Sequence, residues 1–271
     1  MSLSTDRIRV RVHLNLVDSS RQLFELDPGA VLELGDGWLF GAGRSPHPAI
    51  SNAAFRTDDR LDPDEFLARA RAFFGAMGRG FSVWLRHGDP ADRDLLSAAE
   101  AAGLTQVHEM PEMVLGERPE ELPLPSGVEL RRLSTAAEAE EYWRVGALAY
   151  SSLGFPPAVF DFYEDHAGLL AENTAAFLAY VNAKPVSIAM TIVSHGVAGI
   201  YWVGSLEEAR GKGLGGALTA AATNAGFDLG ADIASLQASA MGRPIYAAMG
   251  YETIYDYRLL MSAPPEAADA A

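Results

Sequence analysis

The sequence predicts an α/β (α+β) chain made of two pseudo-repeated domains, on three observations. The first is an internal repeat: GLTQVHEMPEMVL from Gly103 and GYETIYDYRLLM from Gly250 align at an offset of 147 residues, placing Val107 on Ile254, Glu109 on Asp256 and Met110 on Tyr257. Each half then ends as helix, Gly, strand. The second is a composition break, GERPEELPLPSG from Gly116 to Gly127, where Pro, Glu and Gly cluster between strand-like runs and read as a linker. The third is a run of apolar segments, Ala176 to Val181, Val186 to Val193 and Val197 to Val203, joined by Asn-Ala-Lys-Pro and Ser-His-Gly turns. That pattern is an antiparallel meander.

Taken in order, Asp62, Pro63 and Glu65 form an N-cap, N1 and N3 set for a helix whose apolar face carries Phe66, Phe73 and Met77. A strand at Phe81 to Arg86 leads to a helix from Asp89-Pro90 to Ala102, closed by Gly103. After the linker, Val128 to Leu133 reads as a strand, and Thr135 with Glu138 is a capping-box pattern for a helix toward Tyr150. Pro156 and Pro157 interrupt before a helical stretch at about Ala158 to Leu170. Beyond the meander, a Gly-rich segment opens a helix to about Leu229. A strand at Ile233 to Ser239, a short helix at about Arg243 to Met249 and a strand at Thr253 to Met261 complete the pattern. The expected division is residues 1–118, a linker at 119–127, a second domain at 128–262 and a disordered, apolar-poor tail at 263–271.

Composition excludes several classes of function. A net charge of −15 repels a polyphosphate backbone, so nucleic acid is not an expected partner. With 0 Cys there is no disulfide, thiolate zinc site, iron–sulfur cluster or cysteine nucleophile, and the six His show no H-x-x-x-H spacing, so no metal site is expected. Met1 to Arg11 lacks the basic start and apolar run of a secretory signal, which fits a cytoplasmic location. Pro185 to Leu206 is uncharged and of membrane-spanning length, but Ser187, Ser194, His195, Gly196 and Gly199 divide it into a buried hairpin. No membrane association is expected, and His195 is read as a structural turn residue.

The chemistry lies in Ala209-Arg210-Gly211-Lys212-Gly213-Leu214-Gly215-Gly216, between a predicted strand and a predicted helix. Glycines let the backbone approach a ligand, and the open N–H groups of a first helical turn form an anion site. From Pro125 onward there are 8 Lys or Arg against 16 Asp or Glu, so Arg210, Lys212 and Arg243 are informative cations and the inferred ligand carries phosphate. A Walker loop fails because Gly213 follows Lys212. Gly211, Gly213 and Gly216 also spell a dinucleotide fingerprint, but Asp232 precedes the next strand, whereas a ribose-binding acid stands at that strand's carboxyl end.

Arg210-x-x-Gly213-x-Gly215 resembles the R/Q-x-x-G-x-G/A signature of the GNAT superfamily of acyl-CoA-dependent N-acetyltransferases. Leu236-Gln237-Ala238-Ser239-x-x-Gly242-x-x-Ile245-Tyr246-x-x-x-Gly250-Tyr251 is similar to that family's following strand–helix motif. The resemblance spans about Val128 to Met261; the first half more weakly resembles the degenerate first domain of tandem GNAT proteins. It implies a GNAT-like mixed, mostly antiparallel central sheet flanked by helices. It also implies an acetyl-CoA-dependent N-acetyltransferase, with acetyl-CoA as co-substrate and a small-molecule or peptide amine as acceptor. A homodimer is a possible assembly. In the first half, the loop His87 to Asp94 would turn three carboxylates and Pro90 toward a pyrophosphate, and Ala99 stands in place of Tyr246. That half is expected to lack a CoA site and to wall the substrate cleft.

The resemblance assigns the CoA pyrophosphate to Arg210, Gly211, Lys212, Gly213, Leu214, Gly215 and Gly216, and the pantetheine and acetyl carbonyl to Val203, Gly204 and Ser205. Ser239 stands where many members carry Asn. Tyr246 falls on the usual general acid, or packs a helix on the sheet. A neutral amine is needed for attack, since a lysine-like amine with a pKa of about 10.4 is almost wholly protonated at neutral pH. Many relatives carry a carboxylate on the strand that here reads Val197 to Val203. This strand has none, so Glu207 and Glu208 just beyond it are the candidate bases, acting through water. Tyr150, Phe155, Phe160 and Tyr163 are candidate acceptor-pocket residues or plain helix core, and Asp161, Glu164 and Asp165 a cation-attracting run or a wet helix face. The missing strand carboxylate and Ser239 keep open an alternative, a catalytically inactive CoA-binding sensor or interaction module.

Overall fold

The computed structural model describes residues 5–48, 51–156 and 166–264. The first half runs α1 (Thr5–Glu25), β1 (Val31–Gly35), β2 (Trp38–Ala42), β3 (Asn52–Arg56), α2 (Pro63–Gly75), β4 (Phe81–His87), α3 (Arg93–Ala101) and β5 (Thr105–Leu115). The second runs β6 (Val128–Arg132), α4 (Ala136–Ser151), β7 (Thr174–Val181), β8 (Lys184–Ser194), β9 (Val197–Ser205), α5 (Leu214–Asp228), β10 (Ile233–Gln237), α6 (Arg243–Ala248) and β11 (Glu252–Ser262). From β1 onward the first half has the element order of the second from β7 onward, and β5 and β11 begin 147 residues apart, at Thr105 and Glu252.

Among the described residues all strands join one sheet, in the order β1-β2-β3-β4-β11-β5-β10-β9-β8-β7-β6. The closing strands are exchanged: β11 pairs with β4 of the first half, and β5 pairs with β10 of the second. They also pair with each other along their length, which welds the halves. Only β3–β4 and β9–β10 are parallel, each spanned by a helical crossover, so the sheet is mixed and mostly antiparallel.

Local chemistry explains the elements. Thr135 and Glu138 form the expected capping box. Asp62 accepts hydrogen bonds from the amides of Asp64 and Glu65, and Pro63 begins α2 where no helical N–H is needed. On that helix Phe66, Leu67, Ala70 and Phe74 are buried, while Phe73 and Met77 pack only at the rim. The meander turns at Asn182-Ala183 and His195-Gly196 have positive φ at both central residues, as the right-handed strand twist favours. The helix expected from Asp89 is divided into a 3-10 turn at Pro90–Asp92, capped by Asp89, and α3.

Two apolar layers cover the sheet over the second half. On one face α5 and Tyr246 pack with Ile200, Leu236, Met113 and Tyr251. On the other, α4 and α1 pack with Tyr142, Trp143, Tyr201 and Tyr255. α1 crosses from the first half: Asn15 Nδ2 donates to the carbonyls of Ile192 and Val197, and Arg11 to those of His195 and Gly196. The expected tail beyond Pro264, the expected helix at 158–165, and Phe160, Asp161, Tyr163, Glu164 and Asp165 lie outside the described residues. Where that helix was expected to run on to Leu170, His166–Leu170 forms a 3-10 turn instead.

Candidate active site

The site is built where two parallel strands part. β9 and β10 pair only from Val197/Ile233 to Gly199/Ser235, after which β9 continues to Ser205 and β10 ends at Gln237. The register of β9 against β8 slips between Ile188 and Met190, and Trp202 adopts a φ of 51°. Such a conformation is costly for a bulky residue and marks a bulge that turns the strand end outward. The carbonyl of Val203 accepts from Tyr150 Oη at 3.2 Å and that of Gly204 from Ser187 Oγ at 2.9 Å. The Ser205 hydroxyl is 2.7 Å from that of Ser187.

Beyond β9 a 3-10 turn, Glu207–Ala209, leads to the glycine loop. Gly211 and Gly213 have φ values of 73° and 78°, which favour glycine. Gly213 caps α5 and no side chain satisfies the helix start, so the amides of Leu214, Gly215 and Gly216 stay open. Leu214 is buried and anchors the turn. Gly216 lies under the linker: a Cβ there would sit 3.1 Å from Leu122 and 3.3 Å from Ile245 of α6. The linker itself is tied along α5 by Arg118 to Asp228 at 2.7 Å and by Asn224 to the Pro119 carbonyl at 3.3 Å. Lys212 in the loop and Arg243 at the start of α6 are exposed.

The structure places Arg210 against α4. Its guanidinium donates to the carbonyls of Ser205 and Ala149 and to the Ser152 hydroxyl, bracing the loop against the C-terminal end of α4 rather than standing free for a phosphate. Ser239 likewise accepts the Gly242 amide at 3.1 Å, a local cap for the turn into α6. Glu207 and Glu208 are exposed on the 3-10 turn. Asp232 is ion-paired with Arg11 just before β10, at the other end of α5 from the loop, and His195 bonds Asp18 at 2.8 Å.

Tyr246 is buried on the α5 face of the sheet, its ring against Gly242, where a Cβ would lie 2.6 Å from the ring. Burial raises its pKa, partly offset by the Thr219 hydroxyl, so it holds its proton at neutral pH. On the opposite face Tyr150, Phe155 and Trp202 stack edge-on, Tyr150 being 5.7 Å from Phe155 and 5.3 Å from Trp202.

The first half carries the same frame with different contents. The counterpart of the glycine loop is the β3–α2 segment Thr57 to Asp62, not His87 to Asp94, which corresponds to the β10–α6 turn. In it Asp62 occupies the first-turn amides and Pro63 removes another donor. The carboxylates of the β4–α3 turn are spent internally. Asp92 is bidentate with Arg86 at 2.7 and 2.9 Å and touches Arg56 at 3.3 Å, while Asp94 holds Arg56 at 2.6 Å. His13 closes the cluster, bonded to Tyr257 and to the Arg56 carbonyl, its pKa lowered to about 3 by burial and then by Arg86. Ala99 on α3 is buried where α6 carries Tyr246.

Sequence reading missed Glu112 on β5, fully buried and bonded through one oxygen to Gln237 Nε2 at 2.6 Å. Burial pushes its pKa up to about 8. A carboxyl that ionises near 4.5 when unfolded and near 8 when folded favours the folded state at low pH. Stability should therefore fall as pH rises from about 4.5 through 8, by on the order of a few kcal/mol, and level off above. Denaturant titrations across that range should show the slope in the wild type and a flatter profile in Glu112→Gln.

Residues 123–239 match the family model described as Acetyltransferase (GNAT) domain. That stretch is similar to a GNAT acetyltransferase domain. The chain is similar in fold to a GCN5-related N-acetyltransferase from Kribbella flavida, at 21% identity over 96% of this chain and 97% of that one, with a TM-score of 0.72. A GCN5-related N-acetyltransferase from Sphaerobacter thermophilus is 14% identical over 86% and 82%, TM-score 0.61. A tandem GNAT protein from the clavulanic acid biosynthesis pathway is 13% identical over 93% and 97%, TM-score 0.61. No curated protein matches the sequence. The site has two faces, with the glycine loop and Tyr246 on one, the aromatic group of α4 on the other, and the parted strands between them. Among the described residues no group of three His, Cys, Asp or Glu is placed to hold a metal, and no helix is long and apolar enough to cross a membrane.

Proposed function

We propose that residues 128–262 transfer an acetyl group from acetyl-CoA to a primary amine by direct attack in a ternary complex. The observation that carries this reading is the uncapped, glycine-led start of α5 beside the parting of β9 and β10. Acetyl-CoA supplies the activated acetyl thioester. The amides of Leu214, Gly215 and Gly216, the flexible turn at Gly211 and Gly213, and the exposed ammonium of Lys212 would hold its pyrophosphate. Arg210 acts by fixing the loop. Val203, Gly204 and Ser205 present the bulged strand end to the pantetheine, and Tyr246, protonated by burial, donates to the departing sulfur. Tyr150 and Phe155 border the side on which a small-molecule or peptide amine would approach.

We read residues 1–118 as a degenerate repeat without a CoA site, since Asp62 and Pro63 close the equivalent helix start and Arg56, Arg86 and Asp92 fill the equivalent strand ends. Residues 119–127 are the linker. Steady-state thiol release with a panel of alkylamines, polyamines and lysine peptides tests the reaction. Intersecting double-reciprocal lines are expected; parallel lines would contradict direct attack, and no release with any amine would contradict the reading.

A further inference from the structure

A base is still needed for the acceptor, and β9 offers no carboxylate. Four carboxylates are buried among the described residues: Asp27, Asp89, Asp92 and Glu112. Asp27 lies 3.5 Å from Arg44, Asp89 3.8 Å from Arg9 and Asp92 2.7 Å from Arg86. Glu112 has no cation partner among them. Its Oε1 has no hydrogen-bond partner of good geometry, and neither has the nearby Ser235 hydroxyl. A buried carboxyl that has the Gln237 amide and the Ser235 hydroxyl beside it but no cation is expensive to ionise in a core.

Its position gives it a use. Glu112 stands opposite both Gln237 and Tyr255 in the strand registers, and Gln237 is two residues beyond Ser235, the last β10 residue paired with β9. Alternate residues share a face, so Tyr201, Gln237, Glu112 and Tyr255 form one row across β9, β10, β5 and β11, on the face that carries α4 and its aromatic group. Gln237 is only half-buried, at the mouth where the strands part, and Glu112 is directly behind it. The groups facing Glu112 are Tyr201 from β9, Ser235 and Gln237 from β10, and Tyr255 and Tyr257 from β11.

We infer that Glu112, carried into the second half's sheet by the exchanged strand β5, is the base of the acceptor site, with Gln237 as its positioning residue. This rests on the proposed acetyl transfer. The step is a single net proton transfer: an ammonium nitrogen bound at the mouth gives one proton, relayed by water past the Gln237 amide, to the Glu112 carboxylate, becoming the neutral amine with a free electron pair, and the carboxyl later returns that proton to water. No other bond changes. The raised pKa supports the role, since a base that titrates near the working pH is the more effective. The first half is then part of the active site rather than only a wall around it.

The test compares wild type, Glu112→Gln and Gln237→Leu on the fastest acceptor of the amine panel. Glu112→Gln is near-isosteric; it should melt at or above the wild type at neutral pH, where it escapes the linkage cost, and keep the wild-type acetyl-CoA Kd, while kcat/KM for the amine falls about a hundredfold. The wild-type profile should rise through a pH of about 8, and the variant should lose that limb. Gln237→Leu should shift the limb without removing it. Difference infrared spectra should show a carboxylic acid band that titrates over the same range and is absent from Glu112→Gln. Unchanged kcat/KM and pH profile in a folded, CoA-binding Glu112→Gln protein would overturn the inference and leave the acetyl transfer standing. Wild type that binds acetyl-CoA but acetylates nothing would overturn both.

Discussion

Tyr246→Phe is expected to lower kcat about a hundredfold or more while leaving acetyl-CoA affinity within about twofold of wild type, since a positioned acid contributes to the transition state and not to ground-state binding. The substitution removes one oxygen from a ring already fixed against Gly242 and in the layer with Tyr251. Folding should be unaffected because the hydroxyl does not anchor the helix; α6 is held by the ring and by the backbone turn from Ser239. Raised by burial, the phenol of the wild type stays protonated through neutral pH, so this acid limits no part of the profile there. Stopped-flow measurement of the thiol-forming step, beside calorimetric titration of acetyl-CoA, separates the two effects. A loss of affinity with unchanged kcat would make Tyr246 a packing residue.

The largest effect on stability is expected in the first half. Asp92 is 1% exposed between Arg86 and Arg56, themselves 5% and 1% exposed. Asp92→Ala leaves Arg86 without its bidentate partner in the core, and removing one member of a buried pair costs about 3–5 kcal/mol. Burial alone would raise the Asp92 pKa, but hydrogen bonding and attraction from Arg86 outweigh it and the pKa is lowered. The stability it confers is therefore present above the ordinary carboxylate range and lost as pH falls through its depressed folded value. Guanidinium unfolding at neutral pH should show the full loss in Asp92→Ala, and the difference from wild type should shrink in strong acid.

Much of the second half is legible from local chemistry. The capping box at Thr135, the two positive-φ turns of the meander and the glycine-led start of α5 each require particular residues at particular spacings. The first half is less legible because its signals are local but masked. The buried face of α1 carries His13, Asn15 and Ser19, which obscures its apolar period although His13 and Asn15 are fully hydrogen-bonded to β3, β8, β9 and β11. The hairpin of β1 and β2 did leave a signal, Asp36-Gly37 between two apolar runs. The strand exchange left none. β5 and β11 have similar patterns and similar length, so nothing in either sequence tells which sheet edge each joins. That is why the place of Glu112 beside Gln237 left no sign in the sequence, and why the Arg210 contacts with Ala149 and Ser152, on another helix, could not be read in advance.

One half of this chain, and not the other, is expected to bind acetyl-CoA at the start of α5. Calorimetric titration of the full chain tests it directly, with Gly213→Val as the comparison because a β-branched residue is strained at a φ of 78°. The expected result is one site per chain, weakened by at least about tenfold in the variant, a loss of about 1.4 kcal/mol, with melting behaviour retained. Two sites per chain, no binding, or equal affinity in a folded variant would contradict it.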